Sequence, residues 1–269
     1  MDFFHTTSQS DLGVFALGLV IAGAVSGLAA GVLGVGGGIV IVPVLYHVMA
    51  AMGIGGEVRM HVAIATSLAA MVPAALAKAQ NPKAPIDWAR ARTEAVPVLI
   101  GVAFGSACGA LMTGGALAIV FAVAAITVVV QLAFGDVLRL RVPAGVLFVP
   151  ATAALGSALT GIAADTIRRV ISGETGAEQK RATASIVVVL AAASAALAYA
   201  ISGWGKPDLP PDSLGYVNLL GFALVAPVLL ATEPVGAAAA HMMDLRRLRL
   251  VFAGLIVITT ARMLWDALT

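Results

Sequence analysis

A glycine-rich string is the part of the chain best suited to chemistry. Gly36, Gly37 and Gly38 are consecutive, and Pro43 follows in the same apolar stretch. Each glycine costs a helix about 1 kcal/mol relative to alanine and proline lacks a backbone donor, so we expect the backbone to open within 36–43. Freed N–H groups at a helix N-terminus, with the positive end of the helix dipole behind them, bind anions. The alternative is a tight helix crossing or hinge in which glycine serves packing alone.

Two pairs of hydroxyl side chains can donate to the same anion. Thr66 and Ser67 lie in one apolar run, and Thr183 and Ser185 lie in another run that opens with a similar Ala-Thr string. We expect both pairs near the start of a helix, where a hydroxyl either caps the N-terminus or contacts a substrate oxygen.

Two titratable residues are candidates for coupling a proton to transport. Glu233 stands in an apolar stretch, and an ionisable residue inside lipid is usually functional. His61 precedes the Thr66 hydroxyl and can titrate near neutral pH. The alternatives are a carboxylate at a helix end near water and an ordinary surface histidine.

Arg168 and Arg169 follow Asp165 in a short polar segment. They can attract an anion towards the cytoplasmic side, although the rule that basic loops face the cytoplasm explains them without any substrate.

Metal, cofactor and hydrolase motifs are missing from the sequence. The four histidines, at positions 5, 47, 61 and 241, are scattered, and Cys108 is the one cysteine. We therefore expect no metal site, no cofactor and no catalytic residues.

Composition excludes an ordinary soluble domain. Of 269 residues, 60% are hydrophobic and 11% are charged, whereas globular domains have about 45–50% and 25%. The net charge of +2 predicts no nucleic-acid partner. The main partner of this chain is a lipid bilayer.

Nine apolar runs approach the length of about 20 residues that a helix needs to cross a bilayer. They are 12–35, 39–54, 62–77, 95–112, 116–134, 144–164, 182–203, 214–231 and 250–265. Glycines four residues apart, at 23, 27 and 31 and at 101, 105 and 109, are typical of close helix packing in lipid.

Thirteen of the 16 basic residues fall in four segments, 78–94, 135–143, 165–181 and 242–249, which we place in the cytoplasm. The single run between the second and third segments must then enter the bilayer and return. Pro150, Gly156 and Gly161 are the breaks expected in this re-entrant hairpin. A plain single span is the alternative.

The two halves match in opposite orientation. The Thr66 run ends at a basic loop, and the Thr183 run ends at an acidic one. The run 95–112 likewise matches 214–231 in opposite orientation, and 116–134 matches 250–265. The predicted fold is an all-α integral membrane protein, a polytopic bundle with inverted-topology repeats and broken or re-entrant helices. Residues 1–134 form the first repeat and 135–269 the second. The segment 12–54 is either a re-entrant hairpin or two spans.

These motifs, in this order, resemble the sulfite exporter TauE/SafE family of membrane permeases. The similarity rests on the Gly34-x-Gly36-Gly37-Gly38 string with Pro43, on Ala-Thr66-Ser67, on 86–88, on the glycine ladder 101–109 and on the closing stretch 217–249. The second half departs from the family pattern, because 162–169 contains no glycine triplet and no Val-Pro.

The resemblance implies a multi-pass protein of the bacterial inner membrane that moves sulfite, an organosulfonate or a related small anion. We expect a secondary transporter that works by alternating access and is coupled to protons, and we expect no enzymatic activity. An intramembrane enzyme acting on a lipid-linked phosphate is the alternative, favoured by Arg168 and Arg169, and a membrane scaffold without substrate is a third.

Overall fold

The structure, a computed structural model, describes residues 9–34, 36–80, 86–134, 148–172, 178–240, 242 and 245–268. Within these ranges the chain forms ten α-helices and one two-stranded antiparallel ladder. The helices are α1 (Gln9–Leu33), α2 (Gly38–Ala51), α3 (Gly56–Ala79), α4 (Trp88–Leu111), α5 (Gly114–Phe134), α6 (Phe148–Thr160), α7 (Ala164–Ser172), α8 (Glu178–Ser202), α9 (Leu219–Ala239) and α10 (Leu245–Leu268). The strands are β1 (Ser213–Leu214) and β2 (Val217–Asn218).

Seven of the described helices are long and apolar enough to cross a membrane: α1, α3, α4, α5, α8, α9 and α10. The apolar helices α2 and α6 are shorter, at 14 and 13 residues. Every apolar run of the sequence thus contains a helix, and the predicted all-α polytopic fold is confirmed. Because α2 is too short to cross a bilayer, 12–54 does not form two full spans.

Two pairs of helices, α1 with α2 and α6 with α7, form what we call the first and second broken units. In each unit the helical backbone is interrupted immediately after a glycine in the left-handed region. Gly34 follows α1 with φ 63°, and Gly161 follows α6 with φ 68°. A residue with a Cβ is strained at such a helix C-terminus, which is why glycine stands at both. The expected opening of the first unit is present but narrower than predicted, because α2 already begins at Gly38 and continues through Pro43.

The prediction that Pro150 and Gly156 break the second unit is wrong. Pro150 lies in the first turn of α6, where a backbone donor has no partner within the helix in any case. Gly156 lies inside α6 and allows the Ile167 side chain of α7 to approach closely. Only Gly161 marks the opening of this unit.

The first broken unit turns back along α9. Gly23 of α1 packs against Val225 and Gly31 packs against Ala237, so α1 and α9 run in the same direction. The chain then reverses, and Leu45 of α2 lies beside the first turn of α9. The unit 12–54 is therefore a hairpin, and its glycine ladder serves helix packing as predicted.

The second broken unit turns back along α4 in the same manner. Ala151 of α6 packs against Gly101 and Leu155 packs against Gly105, so α6 and α4 run in the same direction. Arg168 of α7 nevertheless contacts the second turn of α4. This reversal agrees with a re-entrant hairpin and not with a plain span.

Helix α3 lies at the centre of the bundle and packs against α2, α5, α8 and α9.

Candidate functional site

The two backbone openings lie directly against each other in the middle of the bundle. The amide of Gly36 donates a hydrogen bond to Thr166 Oγ1 at 3.0 Å, and its Cα packs on Ala163. Gly38 meets the carbonyl of Gly161 so closely that a Cβ there has no room. We call Gly34, Gly36, Gly37 and residues 161–163 the joint, since they connect the two broken units.

The N-terminus of α2 is aimed into the joint. Gly37 precedes α2, and its carbonyl accepts from Val40 and Ile41, so the unbonded donors and the positive end of the helix dipole lie at the joint. Ser67 of α3 also reaches it and donates to the Gly161 carbonyl at 3.1 Å.

The structure places Thr66 and Ser67 differently from the sequence-based expectation. Helix α3 begins at Gly56, so both residues lie near its middle rather than at its start. The apolar run began later than the helix because Glu57 and Arg59 occupy the first turn. Both hydroxyls are fully buried.

Thr66 and Thr183 make matching hydrogen bonds at two distant places. Thr66 Oγ1 accepts from the backbone N–H of Asn218, which caps the N-terminus of α9, at 3.0 Å. Thr183 Oγ1 accepts from the backbone N–H of Asp87, which caps α4, also at 3.0 Å. Each threonine thus fixes the start of a neighbouring helix. Ser185 lies two residues further along α8 and is half-buried.

Two buried serines near the joint were not predicted. Ser26 in α1 and Ser157 in α6 are at most 1% exposed, and neither Oγ has a hydrogen-bond partner in the described structure. The Ser26 carbonyl lies beside Gly37, and the Ser157 carbonyl accepts from the amide of Gly161 at 2.8 Å. A buried hydroxyl without a partner lowers stability by about 1–3 kcal/mol, so a polar ligand that accepts from these two hydroxyls is favoured. A serine shortly before the turn glycine of each unit is the sequence signal.

Arg168 is bound to an acidic side chain that sequence reasoning also missed. Its Nη1 lies 2.8 Å from Glu94 Oε2, and Arg90 Nε lies 2.9 Å from the other oxygen of Glu94. Glu94 is 2% exposed, so two arginines balance one buried carboxylate. The spacing of four residues between Arg90 and Glu94 on α4 is the signal that predicts part of this network.

Arg169 binds to the first opening. Its Nη2 donates to the carbonyl of Gly34 and lies 2.6 Å from Asp165 Oδ2. The side-chain amide of Gln131 in α5 donates to the Arg169 carbonyl at 3.3 Å. The structure therefore brings both arginines to the joint region, but each is bound to protein groups.

Glu233 lies inside the bundle and is paired. Its carboxylate is 7% exposed and forms an ion pair with Lys78 at the end of α3. The pair connects α3 to α9, close to where Gly31 of α1 packs on the Glu233 carbonyl.

His61 lies apart from the joint and is buried, not at the surface. Its Nδ1 lies 3.0 Å from the Glu57 carbonyl oxygen and its Nε2 lies 3.0 Å from the Gly109 carbonyl oxygen. A neutral imidazole donates to one of the two, whereas the protonated ring donates to both. The ring stacks on Tyr216 with centroids 4.8 Å apart. Burial raises the pKa of the Tyr216 phenol, which stays neutral beside the imidazole.

The space beside the second opening is small. A cavity of about 10 Å³ lies between α6, α7 and α8, next to Asp165, Arg168 and Ala184. That volume holds about one water molecule. In this conformation that cavity is too small for a sulfur oxyanion.

The fold and this site define a polytopic α-helical membrane protein in which two helical hairpins meet at their openings. The sequence model described as sulfite exporter TauE/SafE matches residues 19–263. The chain belongs to the sulfite exporter TauE/SafE family of membrane transporters, and it is not an enzyme.

A relative is similar over nearly its whole length. It is a "probable membrane transporter protein" of Haemophilus influenzae, 26% identical over 262 residues that cover 93% of this chain and 98% of that protein. No solved structure gives a significant match to the chain. The family and this relative remove the intramembrane enzyme as an interpretation of the arginines.

Proposed function

We propose that the protein transports a small sulfur-containing anion, such as sulfite or an organosulfonate, across the bacterial inner membrane by alternating access. The family's description names sulfite export, and the H. influenzae relative is a probable membrane transporter. The observation that carries the proposal is the joint, where the N-terminus of α2 and the opening of the second hairpin meet inside the bundle.

The anion is held at the joint by amides and hydroxyls. Gly36, Gly37 and Gly38 present backbone at a helix N-terminus, and glycine lets an oxyanion approach closely. Ser26 and Ser157 add two unpaired hydroxyl donors from opposite units. A sulfite or sulfonate group has three oxygens, which suits several converging neutral donors better than one salt bridge.

The hydroxyls of α3 and α8 contribute to anion binding either indirectly or when the joint opens. In the closed state Ser67 donates to Gly161 and the Gly36 amide is bonded to Thr166. A substrate replaces these two bonds when the joint opens. Thr66 and Thr183 hold the N-termini of α9 and α4, and Ser185 lies two residues further along α8.

We interpret residues 1–134 and 135–269 as inverted repeats. Each contact in one half has a counterpart in the other. The Thr66 to Asn218 bond corresponds to the Thr183 to Asp87 bond, and the packing of α1 on α9 corresponds to the packing of α6 on α4. Two such units of opposite direction can rock against each other around a central site.

Ion pairs between the two halves close the side on which the basic segments lie. Arg168 of α7 binds Glu94 of α4, and Lys78 of α3 binds Glu233 of α9. Opening towards this side separates both pairs, and Arg168 and Arg169 then face the entering anion. Glu233 takes up a proton when its lysine leaves, and His61 on the opposite side takes one up by donating to both carbonyls.

Flux measurement tests the proposal. Proteoliposomes containing the purified protein are loaded with labelled sulfite, taurine or sulfate, and efflux is followed with and without a pH gradient. Saturable efflux of sulfite or a sulfonate supports the proposal. Absence of efflux for every sulfur oxyanion, by protein that elutes as a single species, contradicts it.

A further inference from the structure

A second polar site lies away from the joint, between the last turns of α2 and α10. A cavity of about 510 Å³ is lined by His47, Thr259, Arg262 and Asp266 together with Ala50, Ala51 and Ile258. None of these residues belongs to the joint or to the ion pairs around it. A ligand bound here is independent of which anion is transported.

The charges in this cavity are incompletely paired. In the part of the chain that the structure describes, Arg262 makes no hydrogen bond or ion pair. Asp266 lies 3.5 Å from His47 Nδ1, and the other ring nitrogen of His47 lies 3.4 Å from the Thr259 carbonyl oxygen. Arg262 and Asp266 stand four residues apart with the cation first, which is the less favourable order for a helical pair. Asp266 also lies at the unfavourable, negative end of the α10 dipole and so favours a cationic partner.

The cavity is at the edge of the membrane-spanning bundle. Helix α2 ends at Ala51 and α10 ends two residues after Asp266. Ile258 in the cavity wall is 69% exposed, and Trp265, the residue before Asp266 on α10, is 71% exposed. Exposed tryptophan near the end of a spanning helix is typical of the lipid headgroup level, and an arginine on a lipid-facing surface is stable there.

We propose that this cavity binds the headgroup of a phosphatidylethanolamine molecule. Arg262 binds the phosphate, and the Asp266 carboxylate accepts from the ammonium group. Residues four apart on a helix have Cβ atoms about 5–6 Å apart, a spacing that suits a phosphate and an ammonium joined by two carbons. The exposed Ile258 and Trp265 contact the glycerol and the upper acyl chains. Basic pockets between membrane helices bind lipid headgroups by the same chemistry.

Native mass spectrometry of the delipidated full chain tests this assignment. Phosphatidylethanolamine, phosphatidylglycerol and phosphatidylcholine are added in turn, and inorganic phosphate is the competitor. We expect phosphatidylethanolamine to bind best, because phosphatidylglycerol lacks the ammonium and the choline group has no N–H donor. Arg262→Gln lowers retention of phosphatidylethanolamine about tenfold, which corresponds to about 1.4 kcal/mol. Asp266→Asn removes the preference over phosphatidylglycerol.

Two further variants keep the test decisive. Arg249→Gln changes an exposed arginine at the other end of α10 and leaves lipid binding unchanged. Ala51→Trp fills the cavity from the exposed end of α2 without altering a charge, and it lowers binding even where a charge variant fails to fold. Equal binding by wild type, Arg262→Gln and Ala51→Trp overturns the proposal. Displacement of the lipid by inorganic phosphate overturns the lipid assignment in favour of a free-anion site.

Discussion

The hydroxyl of Ser67 donates to the carbonyl oxygen of Gly161 at a distance of 3.1 Å. This bond joins the middle of α3 to the opening of the second hairpin, 94 residues further along the chain. Gly38 packs on the same carbonyl. The two broken units and α3 therefore meet at this carbonyl, and an anion at the proposed site would contact both units.

Gly38→Ala tests how tightly the joint closes. The new Cβ meets the Gly161 carbonyl, a backbone group that moves only if the second opening moves. We expect a loss of about 1–3 kcal/mol of stability and a loss of transport. Thermal unfolding in detergent and flux in proteoliposomes measure the two effects. Gly55→Ala is the matched control, because a Cβ there meets nothing within 4 Å. Wild-type flux by Gly38→Ala contradicts the tight joint.

Ser26→Ala and Ser157→Ala separate binding from folding. Neither hydroxyl has a partner, so their removal leaves stability unchanged or raises it slightly. If both donate to the anion, each variant raises the KM for the transported anion about tenfold, which corresponds to about 1.4 kcal/mol. Ser106→Ala is the control, since the buried Ser106 hydroxyl already donates to the Val102 carbonyl at 2.7 Å. An unchanged KM in both variants shows that the hydroxyls do not contact substrate.

Glu94→Gln leaves two arginines without their buried partner. Glu94 binds both Arg168 and Arg90, and hydrogen bonds to charged groups are worth about 1.5–3 kcal/mol. We expect lower thermal stability and a shift towards the state open on the basic side, seen as faster hydrogen exchange in α7. Glu57→Gln, at an exposed position in the first turn of α3, is expected to change neither. Unaltered exchange in α7 argues against a closing role for the ion pair.

Glu233→Gln tests proton coupling. A neutral amide cannot gain or lose a proton, so we expect flux driven by a pH gradient to disappear while exchange of anion for anion continues. Flux with and without a pH gradient, measured on the same vesicles, distinguishes these two activities. Lys78→Gln breaks the same ion pair but keeps the carboxylate, so it retains coupling. Gradient-driven flux by Glu233→Gln at the wild-type rate excludes Glu233 as the proton site.

The sequence predicted the elements better than their contacts. Apolar runs locate nine of the ten described helices, because lipid leaves few alternatives for a chain so poor in charge; the polar helix α7 follows the run that ends at 164. Glycine marks both openings because it adopts φ near 65° without the steric cost that a Cβ brings. The start of α3 was missed since Glu57 and Arg59 interrupt the apolar pattern.

The partners across the bundle were beyond sequence reasoning. Nothing local indicates that Thr66 bonds to Asn218, or that Arg168 pairs with Glu94, because these bonds depend on how the hairpins pack. Ser26 and Ser157 each precede the turn glycine of a broken unit in the sequence, but only the structure shows that their hydroxyls are buried without partners.

One anion is proposed to bind where the two openings meet. Cryo-electron microscopy of the protein in nanodiscs with a saturating sulfonate tests it most directly. We predict density for the anion at the joint, between Gly36 and Gly37 on one side and residues 161–163 on the other. It lies within hydrogen-bond distance of the Ser26 and Ser157 hydroxyls, and the Ser67 to Gly161 bond is broken or lengthened. Density for the sulfonate elsewhere in the bundle, with the joint as closed as it is here, would contradict the account.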